Sequence, residues 1–177
     1  IEGCHNLAQM INGLLQFSSI TKNLPPVNKI DLNKLIPNIL EDINHSINTS
    51  EVKINVNANL PTVLAHESLL KQVFLNLITN SIKYKKENKE VTIEIGYKDT
   101  NYNFVELFVK DDGIGIPTEF QGKIFDLFKK FHASTNIEGN GVGLGTCKKI
   151  INFYNGKIWV ESENQKGTII YFTLQVA

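Results

Sequence analysis

The sequence predicts an α+β fold: a two-layer α/β sandwich with helices packed on one face of a mixed, mostly antiparallel sheet. Three observations predict it. Apolar residues recur at helical spacing over about 31–46, 66–84 and 142–154, and at alternate positions over 52–56, 91–97, 104–109, 157–161 and 168–174. The strand-like stretches after residue 90 come in pairs joined by short polar turns, as antiparallel neighbours do. The chain has 177 residues, 42% of them hydrophobic, enough for one domain with a real core and an appended element.

Residues 3–20 read as a helix, with Leu7, Met10, Ile11, Leu14, Leu15 and Phe17 forming one apolar stripe. The stretch 21–30 contains Pro25-Pro26 and reads as a linker. Asp31 is the expected N-cap of a second helix reaching about Ser46, with Leu32, Leu35, Ile36, Ile39, Leu40 and Ile43 facing inward and a bend at Pro37. Val52–Val56 alternates and reads as a strand. A third helix, about His66 to Tyr84, buries Leu70, Val73, Phe74, Leu77, Ile78 and Ser81. Beside that stripe Asn76, Asn80 and Lys83 stand at i, i+4 and i+7 and so line up. Asparagine is a mediocre helix former, so two of them stacked there ask for a reason. A solvated face in an asparagine-rich chain is the plain alternative. Val91–Tyr97 and Phe104–Val109 form adjacent strands, with Asp111 following the second. Pro117 opens a short helix through Phe120 and Ile124, and a longer helix from about Val142 to Tyr154 stops at Asn155-Gly156. A closing hairpin joins Lys157–Glu161 to Thr168–Leu174.

The charge is balanced, 18 basic against 18 acidic, which argues against nucleic acid as the main partner. Every basic residue is lysine, so any phosphate contact comes from a point charge without the arginine fork. Cys4 and Cys147 lack metal-like spacing and suit a reducing compartment, and His5, His45, His66 and His132 are scattered, which makes a zinc site improbable. No apolar run reaches membrane-spanning length and no signal peptide opens the chain, so a cytoplasmic location is expected. The chain starts inside a helical pattern and reads as a piece of something longer.

Two glycine clusters bracket the stretch from Lys110 to Gly145. The first is Asp111-Asp112-Gly113-Ile114-Gly115-Ile116, the second Gly139-Asn140-Gly141-Val142-Gly143-Leu144-Gly145. Alternating glycines mark unusual backbone or the close approach of a ligand. The second cluster feeds a helix N-terminus, where free N–H groups and the helix dipole favour an anion. Two ordinary turns would also account for either cluster alone, whereas the pair points to a nucleotide.

From about Asp31 to Leu174 the chain resembles the ATP-binding catalytic domain of sensor histidine kinases, in the superfamily shared with gyrase, the ninety-kilodalton heat-shock chaperones and MutL. Gln72 to Tyr84 resembles the asparagine box and Asp111 to Ile116 the first glycine box. Ile124-Phe125-Asp126-Leu127-Phe128 resembles the phenylalanine box and Gly139 to Leu144 the second glycine box. Gly156 to Ser162 with Gly167 to Phe172 resembles the closing hairpin. The resemblance implies a domain at 31–177, a linker at 23–30 and, at 1–22, the end of a dimerisation and phosphoacceptor hairpin.

It also implies roles. Asp111 accepts the adenine amine, with Gly113, Gly115 and Ile116 close to the base and Thr168 supporting the carboxylate or a bridging water. Asn80 coordinates Mg²⁺, with Asn76 near the same metal and the γ-phosphate. Lys83 and Lys130 neutralise phosphate charge, and Tyr84 covers the nucleotide. Gly139, Gly141, Val142, Gly143 and Leu144 line the phosphates, and Phe125 and Phe128 anchor the intervening segment. Asn76 and Lys83 are the catalytic candidates. The related ATPases carry a glutamate where Asn76 stands; an amide takes no proton at neutral pH, so slow hydrolysis and transfer of the γ-phosphoryl to a histidine follow. The implied partners are ATP, the hairpin histidine of the same or a second subunit in a homodimer, and a response-regulator receiver domain. His5, followed by Asn6-Leu7-Ala8-Gln9-Met10, does not fit the acceptor motif, so this piece is expected to be inactive alone. Asn140, Gly145 and Lys130 depart from the usual threonine, alanine or serine, and arginine. A regulatory module that binds nucleotide without kinase activity is the alternative reading.

Overall fold

The computed structural model describes residues 19–20, 24–44, 51–99, 103–129 and 141–177. The expected helix at 3–20 therefore lies almost wholly outside the described residues, as do His5, His45, Lys130, His132, Gly139 and Asn140.

The elements run β1 (Asn28–Asp31), α1 (Leu32–Asn44), β2 (Val52–Val56), β3 (Thr62–Ala65), α2 (Glu67–Lys83), β4 (Val91–Asp99), β5 (Phe104–Asp111), α3 (Thr118–Gln121), α4 (Gly143–Phe153), β6 (Ile158–Glu163) and β7 (Gly167–Gln175). Five strands form one sheet in the order β2-β4-β5-β7-β6. Only β2 and β4 run parallel; the other pairs are antiparallel. The parallel pair needs a long crossover, which β3 and α2 provide.

The sheet's inner face is laid down by alternation. Ile93 and Ile95, then Val105, Leu107 and Val109, then Ile170, Phe172 and Leu174 are all buried in one core with the apolar stripes of α1, α2 and α4. At its centre Phe74 of α2 meets Phe172 of β7 edge-on, ring centroids 5.6 Å apart, and both side chains are fully buried. The outer face carries an aromatic ridge instead. Trp159 stacks on Tyr171 at 5.3 Å, Phe108 lies 6.1 Å from Tyr171, and Lys98 Nζ sits 4.6 Å from the Tyr171 centroid. Helices on one face only, as expected, leave this ridge as the sheet's cover.

Asp31 caps α1 as the sequence predicts: its Oδ1 accepts the Asn33 N–H at 3.0 Å. Pro37 sits inside α1 on its exposed side. α4 ends as its sequence predicts, in a Schellman turn: Gly156 N–H donates to Ile151 O and Asn155 N–H to Asn152 O, both at 3.0 Å, with Asn155 at φ 57°. A side chain at Gly156 would overlap the Thr173 carbonyl, its Cβ falling 2.1 Å from that oxygen.

One small sheet departs from the sequence reading. Asn28–Asp31 pairs antiparallel with Thr62–Ala65, so the expected linker is strand from Asn28 onward. Proline before it and a cap after it hid a four-residue strand whose partner lies more than thirty positions away. Asn33 welds the same region: its side-chain amide donates to Leu60 O at 2.6 Å and accepts the Leu60 N–H at 2.9 Å. No helix among the described residues is long and apolar enough to cross a membrane.

Candidate nucleotide site

α2 is the floor on which both glycine clusters rest. Asn76, on its middle turn, donates from Nδ2 to Gly143 O at 3.2 Å, which brings the start of α4 against it. At its C-terminal end the Tyr84 carbonyl accepts the Ile114 N–H at 3.0 Å. Gly113 lies so close to that carbonyl that a Cβ would stand 2.5 Å from the oxygen. Asn80 and Lys83 occupy the turns between these contacts, both half-buried, and Lys83 Nζ lies 5.3 Å from the Tyr84 ring centroid. Burial pushes the Tyr84 phenol above its ordinary pKa.

Asp111 ends β5 and is held from three sides. Its Oδ1 accepts the Gly113 N–H at 2.9 Å and the Thr168 N–H at 3.2 Å, while Oδ2 accepts Ser81 Oγ–H at 3.1 Å. A carboxylate offers about four acceptor sites, so one remains for an incoming donor. Burial raises this carboxyl above its ordinary pKa, against the three hydrogen bonds that pull it down; the neighbouring Asp112 adds a smaller upward push. Thr168 thus supports the carboxylate through its backbone; its hydroxyl faces Ser162 Oγ at 2.9 Å.

Sequence reasoning missed the polar residues behind this carboxylate. Ser81 appeared only as part of α2's inner stripe, where one hydroxyl among apolar neighbours was the available signal. Ser162 is a hub: it accepts the Ile116 N–H at 2.8 Å and donates to Gly167 O at 2.7 Å. With its one hydrogen so used, the Thr168 hydroxyl must donate to it. Gln121 Nε2 then bridges Ile116 O at 2.9 Å and Ser162 O at 2.7 Å. Gly115 at φ 69° and Gly167 at φ 113° fit where no Cβ would: one would meet Glu163 O and the other Asp111 O, each at 2.0 Å.

The second cluster is placed by the phenylalanine-rich stretch. Phe128 N–H donates to Gly141 O at 2.8 Å, and both residues have positive φ, 63° and 64°. Anchoring in the core falls to Ile124, 4% exposed, and to Phe125 packed beside it. Phe128, expected to share that anchoring, contributes this backbone bond to Gly141. Gly145 has a reason too: a Cβ there would meet Leu127 Cδ2 at 2.5 Å, so Leu127 fills the space a larger residue would take. α4 then begins at Gly143, its N-cap Val142 offering no side-chain bond, which leaves the first-turn N–H groups of Gly143, Leu144 and Gly145 to other acceptors. Beneath it Cys147 is fully buried, and burial pushes its thiol up to about 12, which disfavours the thiolate form.

α2 thus carries Asn76, Asn80, Lys83 and Tyr84 in a row; Asn76 bonds to Gly143, between Val142 and Leu144 at the start of α4, Tyr84 to Ile114, between Gly113 and Gly115 and next but one to Ile116, Thr168 to Asp111, and Phe128 to Gly141. Asp111 presents an acceptor beside the first cluster, and the second cluster leads into a helix N-terminus without a side-chain cap, chemistry that suits a base and a phosphate respectively.

Comparison with known proteins agrees. Residues 65–177 match the family model described as "Histidine kinase-, DNA gyrase B-, and HSP90-like ATPase". Cyanobacterial phytochrome B of Nostoc sp. (strain PCC 7120) is 39% identical over 171 residues, 96% of this chain and 22% of that protein. Adaptive-response sensory kinase SasA of Crocosphaera subtropica is 35% identical over 172 residues, 95% of this chain and 44% of that protein. The chain thus spans between a fifth and a half of these relatives. The solved catalytic domain of histidine kinase ThkA superposes with a TM-score of 0.70 at 29% identity, covering 86% of this chain and 97% of that one. ThkA in complex with the response regulator protein TrrA gives a TM-score of 0.75 at 25% identity, over 99% of this chain and 49% of that one. The chain belongs to the histidine kinase-, DNA gyrase B- and HSP90-like ATPase family, and its fold is that of a histidine-kinase catalytic domain.

Proposed function

We propose that the chain is the ATP-binding catalytic module of a two-component sensor histidine kinase. The single observation that carries this is the convergence of both glycine clusters on α2, around a half-buried carboxylate with one acceptor site to spare. Bound ATP supplies the γ-phosphoryl group. Asp111 accepts the adenine amine, an acceptor facing a donor, which selects adenine over guanine. Gly113, Gly115 and Ile116 let the backbone approach the base, and Thr168 holds the carboxylate in place. The first-turn N–H groups of α4, with Gly139, Gly141 and Val142 leading into them, receive phosphate oxygens. Lys83 and Lys130 balance phosphate charge, and Tyr84 covers the nucleotide.

Asn80, with Asn76 beside it, holds Mg²⁺ by amide oxygen. Among the described residues no group of three His, Cys, Asp or Glu side chains is placed to hold a metal by itself. That suits Mg²⁺, which commonly takes few protein ligands and completes its shell with phosphate and water. Asn76 offers no base for water, so the phosphoryl group goes to a better nucleophile, a histidine on a helical hairpin. The hairpin, a homodimer built on it, and a receiver domain as the next acceptor complete the proposed assembly. Residues 1–22 belong to the end of that hairpin, and the chain alone transfers no phosphate.

Calorimetric titration with a non-hydrolysable ATP analogue, with and without Mg²⁺, tests the reading. Binding in the micromolar range or modestly weaker, strengthened by Mg²⁺ and absent for the GTP counterpart, is expected. Undetectable binding, or equal binding of both bases, would sink it.

A further inference from the structure

A buried imidazole far from both glycine clusters joins three separate parts of the chain. His66 is 5% exposed and stands at the N-cap of α2, yet its side chain makes no capping bond. Its ring turns instead between Pro25 and Tyr154. Nε2 lies 2.5 Å from Pro25 O and Nδ1 2.7 Å from Tyr154 Oη, while the His66 backbone N–H donates to the same Oη at 2.9 Å.

The directions of these bonds follow from chemistry. A carbonyl only accepts, so Nε2 carries the hydrogen. In a neutral imidazole Nδ1 then accepts, so the phenol donates to it and takes the backbone N–H on a lone pair. Phe153 closes the group, its ring centroid 6.1 Å from His66 and 5.2 Å from Tyr154. Leu24 and Ile20, on the chain leading to Pro25, pack against the domain core.

Tyr154 is also the C-cap of α4, the helix whose first turn faces the proposed phosphates. α4 spans 11 residues, a rod of about 16 Å that moves as a unit. α2 touches the same rod at both ends, through His66 at one and the Asn76 bond to Gly143 at the other.

We propose that His66 and Tyr154 are positioning residues: they clasp the incoming chain at Pro25 to the far end of α4, so the setting of residues 24–27 and the setting of the first turn of α4 are coupled. The inference rests on the nucleotide reading above. It names the contact through which a hairpin preceding Pro25 and a nucleotide at Gly143 sense one another. A network with every donor and acceptor paired has one arrangement, and breaking one bond strands the rest.

Amide hydrogen exchange on the full chain, with and without the Mg²⁺-bound ATP analogue, tests it. In the wild type the analogue is expected to slow exchange at residues 143–147 and, with it, at Leu24 and Val27. In Tyr154→Phe the slowing at 143–147 remains while Leu24 and Val27 no longer respond, and they exchange about fivefold faster without ligand, as loss of one hydrogen bond implies. His66→Leu, which keeps neither donor nor acceptor, repeats that result if Tyr154→Phe folds poorly; His66→Gln, which keeps both, restores the response. Slowing at 143–147 with no response at Leu24 and Val27 in the wild type would overturn the clasp. So would a response that survives both Tyr154→Phe and His66→Leu. No slowing at 143–147 in the wild type would instead remove the nucleotide reading itself, and the clasp's role with it.

Discussion

Asp111 shows how one residue is set between two demands. Burial disfavours its charge, while three donors favour it, and burial prevails. Its folded pKa is therefore above the ordinary value of 3.8. The folded chain then holds the proton more tightly than the unfolded one. The resulting stabilisation is complete below the ordinary value and is lost as pH rises through the folded pKa. A carboxyl-carbon titration by NMR should place this group above the chain's exposed aspartates, and unfolding free energy measured across that interval should fall more steeply with pH than in Asp111→Asn. The same substitution separates fold from recognition. An asparagine oxygen still accepts the Gly113 and Thr168 N–H groups, and its amide can donate to Ser81 Oγ, whose single hydrogen then goes to Leu77 O, 3.2 Å away. Stability at pH 7 is expected to hold within about 1 kcal/mol, while affinity for the ATP analogue drops by roughly 10- to 100-fold as an ion-assisted bond is lost. An unchanged affinity would remove Asp111 from the base site. The placement of Asp111, at the end of a strand and before two glycines, was legible in the sequence. Ser162 and Gln121 were not, because a serine and a glutamine have no spacing that marks them, and only the meeting of β6 with the turn after β5 makes them partners.

Helices and strands differ in how much of themselves they announce. α2 and α4 came out within a residue or two of their expected bounds, since each carries a long stripe and, for α4, an Asn-Gly stop. The ribbon of β1 and β3 stayed hidden, being four residues long on each side with too few alternations to register. The tie between helix and sheet is tested at Phe74. It is fully buried against Phe172, so Phe74→Ala leaves a cavity between α2 and β7 and is expected to cost about 3–5 kcal/mol in urea unfolding. A loss below about 1 kcal/mol would mean that the two layers do not depend on this contact. Because Asn76 lies two positions along the same helix, the variant should also weaken analogue binding even where it remains folded.

At the scale of the whole molecule, the candidate site is laid out by one helix that carries two loops. Asn76 reaches the start of α4 while Tyr84 receives the first glycine turn, and no ladder bond of the sheet is spent on either. Without a carboxylate where Asn76 stands, the isolated chain with Mg²⁺ and ATP should turn over far more slowly than the about 10 per second of a typical enzyme, as read by phosphate release. Fast steady release would show that water is activated by a group other than Asn76 and would return the chain to the hydrolytic branch of the family. By itself the sequence determined the α+β class, the order of the main elements and the ordered boxes. All of these rest on local periodicity or on residue identity. Tertiary structure alone decided which loop lies on which turn of α2, which hydroxyl backs the half-buried carboxylate, and how a histidine read as scattered comes to hold Pro25 and Tyr154 together. Those contacts join residues 30 to 88 positions apart, and their geometry follows from packing the helices on one face of a twisted sheet, which no stretch of sequence carries alone.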